Sequence, residues 1–271
     1  MTEVTVLLRT WNAGAYLDPL LDILDGQTLP PAEILVVDST STDGTPERAR
    51  ARGARIVSLP QSRFTHAGST NLGFREARFP VVAMLSQDAL PASPDWLADL
   101  TAPLADSGTA AVYGRQVPRP DCFALERWEI ERCYPDRGEP EVVYSNVNSV
   151  ARKQVWEDLP FDETVLIAED RFWARAVRER GLSVVYSAEA AVLHSHEYTL
   201  SQLYTRCREE ARARRLMENH AEGPGLLVKG WPKQTLRDGR RLVREGKGAS
   251  WPRAAAYRFA QFAGLVAGGR G

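Results

Sequence analysis

The sequence predicts an α/β fold, a sheet of parallel strands with crossover helices, followed by a basic helical extension. Three observations carry this prediction. Short aliphatic and β-branched runs alternate with segments of helical spacing through the first half of the chain. The strand-like runs lack polar alternation, as strands buried on both faces do. The charge also changes sign along the chain. Residues 1–199 hold 19 Lys/Arg against 29 Asp/Glu, a balance of −10, whereas residues 200–271 hold 15 against 6, a balance of +9.

Taken in order, Val4–Leu8 reads as the first strand. Ala15–Leu24 reads as a helix, with Tyr16, Leu17, Leu20, Leu21 and Leu24 at helical spacing. Glu33–Val37 is a second strand ending at Asp38, and Thr45–Arg52 a helix. Ala54–Leu59 is a strand, Ser69–Arg78 a helix and Val81–Leu85 a fourth strand. Beyond them, Pro94–Leu104 and Phe123–Arg132 read as helices, Ala110–Tyr113 as a strand and Pro135–Pro140 as a polar loop. Asp170–Arg180 is a helix closed by Gly181. Ser183–Tyr186 and Ala191–Leu193 are two short strands. After His196 the pattern is helical and arginine-rich, broken at Gly223–Gly225 and Gly230–Pro232.

The bulk properties bound the class. A chain of 271 residues suits one large α/β domain with appendages. Hydrophobic residues at 44% and charged residues at 25% exclude a disordered chain as the default. No run approaches the roughly 18–20 apolar residues that span a bilayer, and the N-terminus carries no secretory pattern. Cys122, Cys133 and Cys207 are too few and too scattered for a disulfide framework, which fits a reduced cytoplasm. No G-x-G-x-x-G follows the first strand, which disfavours a nicotinamide-dependent oxidoreductase, and no glycine-rich basic loop of a nucleotidyltransferase stands there.

Ligands of open α/β sheets gather at the carboxyl ends of the strands, so the loops after the strands matter most. They are Arg9-Thr10-Trp11-Asn12, Asp38-Ser39-Thr40-Ser41-Thr42-Asp43-Gly44 and Ser86-Gln87-Asp88. Singly, each reads as an ordinary cap or turn, as Asp43-Gly44-Thr45-Pro46 does on entering a helix. Together at one sheet edge they make a nucleotide pocket.

These loops, with Ile34–Asp38, Phe64-Thr65-His66-Ala67-Gly68-Ser69-Thr70-Asn71-Leu72-Gly73, Leu85–Ala89 and Ala168-Glu169-Asp170, resemble the family 2 glycosyltransferases, closest to their bacterial rhamnosyltransferase-like branch. The resemblance covers about residues 1–200. It implies a GT-A, Rossmann-like fold, a nucleotide-diphosphate sugar donor, inversion at the anomeric carbon and a divalent cofactor, Mg²⁺ or Mn²⁺. The domains expected from it are a catalytic domain over 1–199, with a nucleotide-binding half to about 115 and an acceptor half over 116–199, then the extension over 200–271.

By the same resemblance, Asp38 accepts from the N3–H of a uracil or thymine ring, as an acceptor-only carboxylate can. Thr10, Trp11, Asn12 and Gln87 line the base and ribose, with Asp43 and Asn71 supporting them near the diphosphate. Asp88 is the metal carboxylate, since hard cations take oxygen ligands. Ser86 replaces the first acid of the family's Asp-x-Asp, so phosphate and histidine ligands carry more of the site. His194 is the preferred nitrogen ligand and His196 its substitute, because alternate residues of an extended segment point the same way. Asp170 is the expected general base; the structural alternative is a helix N-cap. Asn146, Asn148, Glu169 and Arg115 are expected near the donor or acceptor sugar. Trp96, Trp156 and Trp173 sit at helical spacing with other apolar residues and are expected in the core.

In the extension, Arg206, Arg208, Arg212, Arg214 and Arg215 crowd one helix, and Ala254–Ala267 is apolar but too short to span a bilayer. Both suit peripheral contact with an anionic membrane surface carrying a lipid-linked acceptor. The alternative is a helical hairpin packed on the body or on a second subunit of a homo-oligomer. The expected reaction transfers rhamnose from dTDP-rhamnose, or a hexose from a UDP-sugar, to a glycan hydroxyl in polysaccharide synthesis, with no nucleic-acid partner. A non-catalytic nucleotide- or glycan-binding relative is the alternative.

Overall fold

A computed structural model of the chain describes residues 3–165, 167–218 and 221–269. The chain divides into two compact units, Met1–Pro120 with Glu129–Ser195, and Asp121–Trp128 with His196–Gly271.

The first unit is built on one sheet of β1 (Val4–Thr10), β2 (Glu33–Asp38), β3 (Arg55–Ser58), β4 (Val81–Ser86), β5 (Leu90–Pro91), β6 (Thr109–Val117), β7 (Asn148–Arg152) and β8 (Ser183–Leu193). The strand order is β3-β2-β1-β4-β7-β6-β8-β5. Strands β1 to β4 are mutually parallel, as their unbroken apolar runs predict. Strand β7 then runs antiparallel to both β4 and β6, so the sheet is mixed rather than wholly parallel. Helices α1 (Leu17–Asp25), α2 (Thr45–Ala51), α3 (His66–Glu76), α4 (Trp96–Thr101), α5 (Ala124–Cys133), α6 (Lys153–Asp158) and α7 (Glu169–Glu179) connect the strands.

Successive β1 residues face opposite cores. Val6 and Leu8 pack with Leu17, Leu20, Leu24 and Trp96 on one side of the sheet. Leu7 packs with Phe74, Trp156 and Trp173 on the other. The three tryptophans are therefore core residues, as their spacing predicts.

Three differences from the expected elements have physical causes. Strand β7 opens with Asn148 and Ser149, which read as loop residues, yet both are fully buried. The Asn148 amide is paid for by hydrogen bonds to Trp96 Nε1, Arg115 O and Ala190 O. Next, the two short strands near 190 are one, β8, whose irregular register against β6 breaks the periodicity. Lastly, helix α6 spans only 153–158 and is too short to show helical spacing.

The second unit contains α8 (Leu200–Glu218), α9 (Trp231–Arg244) and α10 (Trp251–Gly269). The apolar stretch Ala254–Ala267 lies in α10 and faces mostly inward, with Phe259 left 51% exposed. Ala254, Tyr257, Ala260, Gly264 and Val266 are buried, and a side chain at Gly264 would collide with Tyr204 O on α8. Its core also takes in Leu125 and Trp128 of α5, beside Leu203, Leu242 and Tyr257. No helix among the described residues is long and apolar enough to cross a membrane.

Candidate active site

Strand direction gathers the polar residues of the first unit at one sheet edge. Thr10 lies beside Asp38 in the β1–β2 register, and Arg9 beside Ser86 in β1–β4. Because β7 is antiparallel, its first residue, Asn148, pairs with Leu85 at that same edge. The ends of β6 and β8 arrive there too, Gln116 beside Val192 and Val117 beside Leu193.

Asp38 is buried and accepts three hydrogen bonds. Thr10 Oγ1 (2.8 Å) and Ser41 Oγ (2.6 Å) donate to its Oδ1, and the Ser41 amide (2.9 Å) donates to Oδ2. A carboxylate has about four lone-pair sites, so Oδ2 keeps one to offer. The Gln87 amide clamps the Trp11 backbone, accepting from its N–H at 2.8 Å and donating to its carbonyl at 3.2 Å. The Trp11 ring itself is 55% exposed. Asn12 adopts φ 50°, a left-handed conformation that asparagine tolerates. Its Oδ1 accepts from the Thr42 amide at 2.9 Å. Asp43 accepts from the Gly14 amide and from Thr45, and the Thr45 hydroxyl is the main reason its pKa is lowered.

Asn71 stands apart from this pocket. Its amide donates to Phe161 O and Glu163 and accepts from Trp156 Nε1 and the Phe161 amide. All four of its hydrogen-bonding positions tie α3 to the segment before α7. Asn148 is similarly consumed inside the sheet. Arg115, next to Gly114 on β6, has a buried Nε with no hydrogen-bond partner among the described residues.

At the next strand ends, His194 Nε2 lies 3.6 Å from Asp88 Oδ1. The other ring nitrogen, Nδ1, lies 2.8 Å from Gln116 Oε1, while the Gln116 amide nitrogen donates to Ser145 Oγ at 3.3 Å. That second bond orients the Gln116 oxygen toward the ring, so Nδ1 carries the proton and Nε2 presents a lone pair. The donor set of one carboxylate and one oriented imidazole therefore fits a divalent metal. Among the described residues, Asp88, His194 and His196 form the group of side chains suited to hold one. His196 opens the second unit, two residues after His194 along the chain. Arg119 braces this edge, donating to the Asp88 carbonyl and to Ser195 O.

Glu169 and Asp170 form the first turn of α7. The N-cap is Ala168, in a left-handed conformation (φ 64°) and without a side-chain cap. Asp170 is thus not the N-cap. It sits inside the first turn, accepting from the Arg171 amide at 2.8 Å and the Asn146 amide at 3.1 Å. Glu169 is buried, and its pKa is pushed up to about 7, first by burial and then by the charge of Asp170. Arg9 opposes that rise. Its own pKa is lowered by burial, while Glu169 and Asp170 support its charge. Sequence reasoning gave Arg9 no role facing these acids. The available signal was an arginine closing an otherwise apolar, doubly buried strand. Gln116 reads from the sequence as a polar pair with Arg115 near the acceptor; its contact with the His194 ring was not expected, because only the fold brings β6 against His194.

The mixed sheet, with acidic and histidine groups at its strand ends, has the architecture of a GT-A fold. Residues 5–163 match the profile of glycosyl transferase family 2. The chain is 32% identical over 223 residues to the O-antigen chain rhamnosyltransferase RfbN of Salmonella typhimurium, covering 75% of this chain and 70% of that protein. It is 33% identical over 100 residues to an N-acetylglucosaminyl-diphospho-decaprenol L-rhamnosyltransferase of Mycobacterium tuberculosis, covering 36% and 30%. Among solved structures it superimposes on mannosyltransferase PcManGT from Pyrobaculum calidifontis, in complex with GDP-Man and Mn²⁺. That match has a TM-score of 0.69 at 19% identity, over 98% of this chain and 85% of that one. Glucosyl-3-phosphoglycerate synthase of Mycobacterium tuberculosis superimposes with a TM-score of 0.58 at 22% identity, over 78% of each chain. The chain belongs to glycosyl transferase family 2 and is a glycosyltransferase. The non-catalytic alternative is not favoured.

Proposed function

We propose that this enzyme moves rhamnose from dTDP-rhamnose, or a hexose from a UDP-sugar, with inversion, onto a hydroxyl of a glycan or lipid-linked glycan in cell-surface polysaccharide synthesis. The convergence of Asp38, the Asp88–His194 pair and Asp170 at one sheet edge carries the reading. Identity to an O-antigen rhamnosyltransferase over most of the chain supports the sugar. Residues 1–199 supply catalysis, with the nucleotide-binding half to about 115 and the acceptor half beyond it. The basic residues 200–271 bring the enzyme to an anionic membrane surface.

The remaining Oδ2 lone pair of Asp38 accepts from the N3–H of uracil or thymine. Thr10, Trp11, Asn12 and Gln87 flank base and ribose, and Asp43 holds the loop that closes over them. Asp88 and His194, with His196, hold Mg²⁺ or Mn²⁺, which when bound offsets the charge growing on the diphosphate as the sugar bond breaks. Asp170 takes the proton of the acceptor hydroxyl as its oxygen bonds to the anomeric carbon and the nucleoside diphosphate leaves. The Asn146 Oδ1, buried without a partner among the described residues, accepts from a sugar hydroxyl; Glu169 lies beside it, accepting from the Asn146 side-chain amide at 3.5 Å, and Arg115, at the boundary of the two halves, serves the donor or acceptor sugar. Asn71 and Asn148 support the site through the backbone they tie down.

A donor panel tests this. The purified chain is offered dTDP-rhamnose, UDP-glucose, UDP-N-acetylglucosamine and GDP-mannose, with Mn²⁺ or with EDTA, and nucleoside diphosphate release is measured. Release from a thymidine or uridine donor, dependent on Mn²⁺, is expected. Turnover of GDP-mannose alone overturns the nucleotide assignment, and equal rates in EDTA remove the metal.

A further inference from the structure

The second unit carries a surface that its own packing does not use. The small-residue face of α10 is spent against α8, where side chains at Gly264 and Gly268 would strike Tyr204 O and Arg208 O. Three arginines of α8 are spent as well. Arg206 pairs with Glu210, and Arg208 and Arg212 pair with Glu209.

Helix α9 differs. Its inner face is anchored by buried Leu242 and by Asp238, which pairs with Arg258 of α10 at 2.7 Å. Lys233, Arg237, Arg240 and Arg244 recur at i, i+4, i+7 and i+11, so they form one outward stripe. All four are exposed, and among the described residues no carboxylate pairs with them. Beside the stripe lie Leu236 and Val243, two turns apart, 45% and 63% exposed. Trp251 lies across Gly239, its indole N–H donating to Thr235 O. A notch of about 280 Å³ opens between them, lined by Gly239, Arg240, Val243, Arg244 and Trp251.

We propose that this outer face of α9, with Trp251 and the notch, docks the enzyme on an anionic phospholipid bilayer. The charge stripe selects an anionic partner. The aliphatic pair beside it selects one with an apolar layer beneath its charge, which a bilayer has and a nucleic-acid backbone lacks. A helix with basic residues flanking an exposed apolar strip lies in the interface plane, and tryptophan is the side chain that headgroup-level interfaces favour. A second copy of the chain is a poor occupant, because a two-fold contact sets identical arginine stripes against each other. The inference rests on the lipid-linked acceptor of the proposed function for its purpose only; its chemistry is independent of the donor.

Flotation of the full chain with vesicles of phosphatidylglycerol and phosphatidylcholine in equal parts, against phosphatidylcholine alone, tests it at low and high salt. Binding to the anionic vesicles alone, weakened by salt, is expected. The double variant R240E/R244E is expected to lose at least about tenfold in partitioning, since each basic residue near the surface contributes to attraction. V243S is expected to weaken binding at unchanged charge, and V243D to weaken it further. The α8 variant R212E is expected to bind as the parent does. Melting temperature checks that each variant folds. Absence of anionic-vesicle binding at low salt overturns the proposal, as does equal loss in R212E and R240E/R244E. Salt-sensitive binding of duplex DNA without vesicle binding, or a dimer dissolved by V243D, also overturns it. Donor turnover is measured on the same proteins. Lost vesicle binding with turnover intact removes the docking surface alone, whereas failed turnover with vesicle binding intact removes the proposed function alone.

Discussion

At the residue scale, two neighbouring carboxyl groups are given different tasks by their surroundings. Asp170 accepts two backbone amides at the start of α7, where negative charge is favoured by the helix N-terminus. Asp170→Asn retains an acceptor for those amides but takes no proton from a hydroxyl. Transfer is expected to fall about 10²–10⁴-fold while nucleotide affinity and melting temperature change little. A variant transferring sugar at the parent rate places the base elsewhere. Glu169 is the reverse case. Folded, it keeps its proton to about pH 7; unfolded, it releases it near 4.5. Between those values the folded state holds more protons, so stability is lost as pH rises through the window. A shift of this size corresponds to about 3 kcal/mol at most. Glu169→Gln is therefore expected to flatten the fall in melting temperature between about pH 5 and pH 7.5. Parallel curves for parent and variant show that burial does not hold the proton. The acids at 169 and 170 are legible in the sequence as a pair. Their division of labour is not, because it depends on Arg9 and Asn146, 160 and 23 residues away from Glu169.

At the element scale, the sheet is a regular parallel half joined to an irregular one. Strands β1, β2 and β4 are legible because burial on both faces demands continuous apolar residues. Strand β7 escapes that rule, since its polar start is satisfied inside the sheet by partners from β6, α4 and the β8 bend. That junction depends on Gly114. A side chain there would fall on Ala190 O and the Asn148 amide, neither of which can move without breaking the ladder. Gly114→Ala is expected to cost about 1–3 kcal/mol, the usual range for overpacking, in denaturant unfolding. Because Gln116 follows two residues on and orients His194, Mn²⁺ affinity is expected to fall with it. Unchanged stability shows that β8 yields at this point.

At the scale of the whole molecule, the chain does not divide cleanly at residue 200. Leu125 and Trp128, from the middle of the sequence, belong to the core of the second unit. Removing residues 200–271 strips Leu203, Leu242 and Tyr257 from that face and leaves it in water. A chain ending at Thr199 is therefore expected to melt lower than the parent and to associate, as exposed apolar patches do. Size-exclusion chromatography and thermal unfolding measure both. A monodisperse fragment with the parent's melting temperature shows that α5 finds cover without the extension. Membrane binding is accordingly better tested by point substitution on α9 than by truncation.

What the sequence determined by itself was the part of the protein set by local rules. Unbroken apolar runs specified the first four strands. Acceptor-rich loops after them held Asp38 and Asp88, the family resemblance singled out Asp170, and the change of charge sign marked the extension. The tertiary structure decided what depends on distant partners. It turned Asn71 and Asn148 into buried ties, locked the His194 ring through Gln116, and turned one face of Ala254–Ala267 inward while leaving the basic stripe of α9 exposed. The physical reason is the same in each case. A polar side chain is indifferent between ligand, solvent and core until the fold supplies or withholds its hydrogen-bond partners, and an apolar helix face is indifferent to which surface buries it.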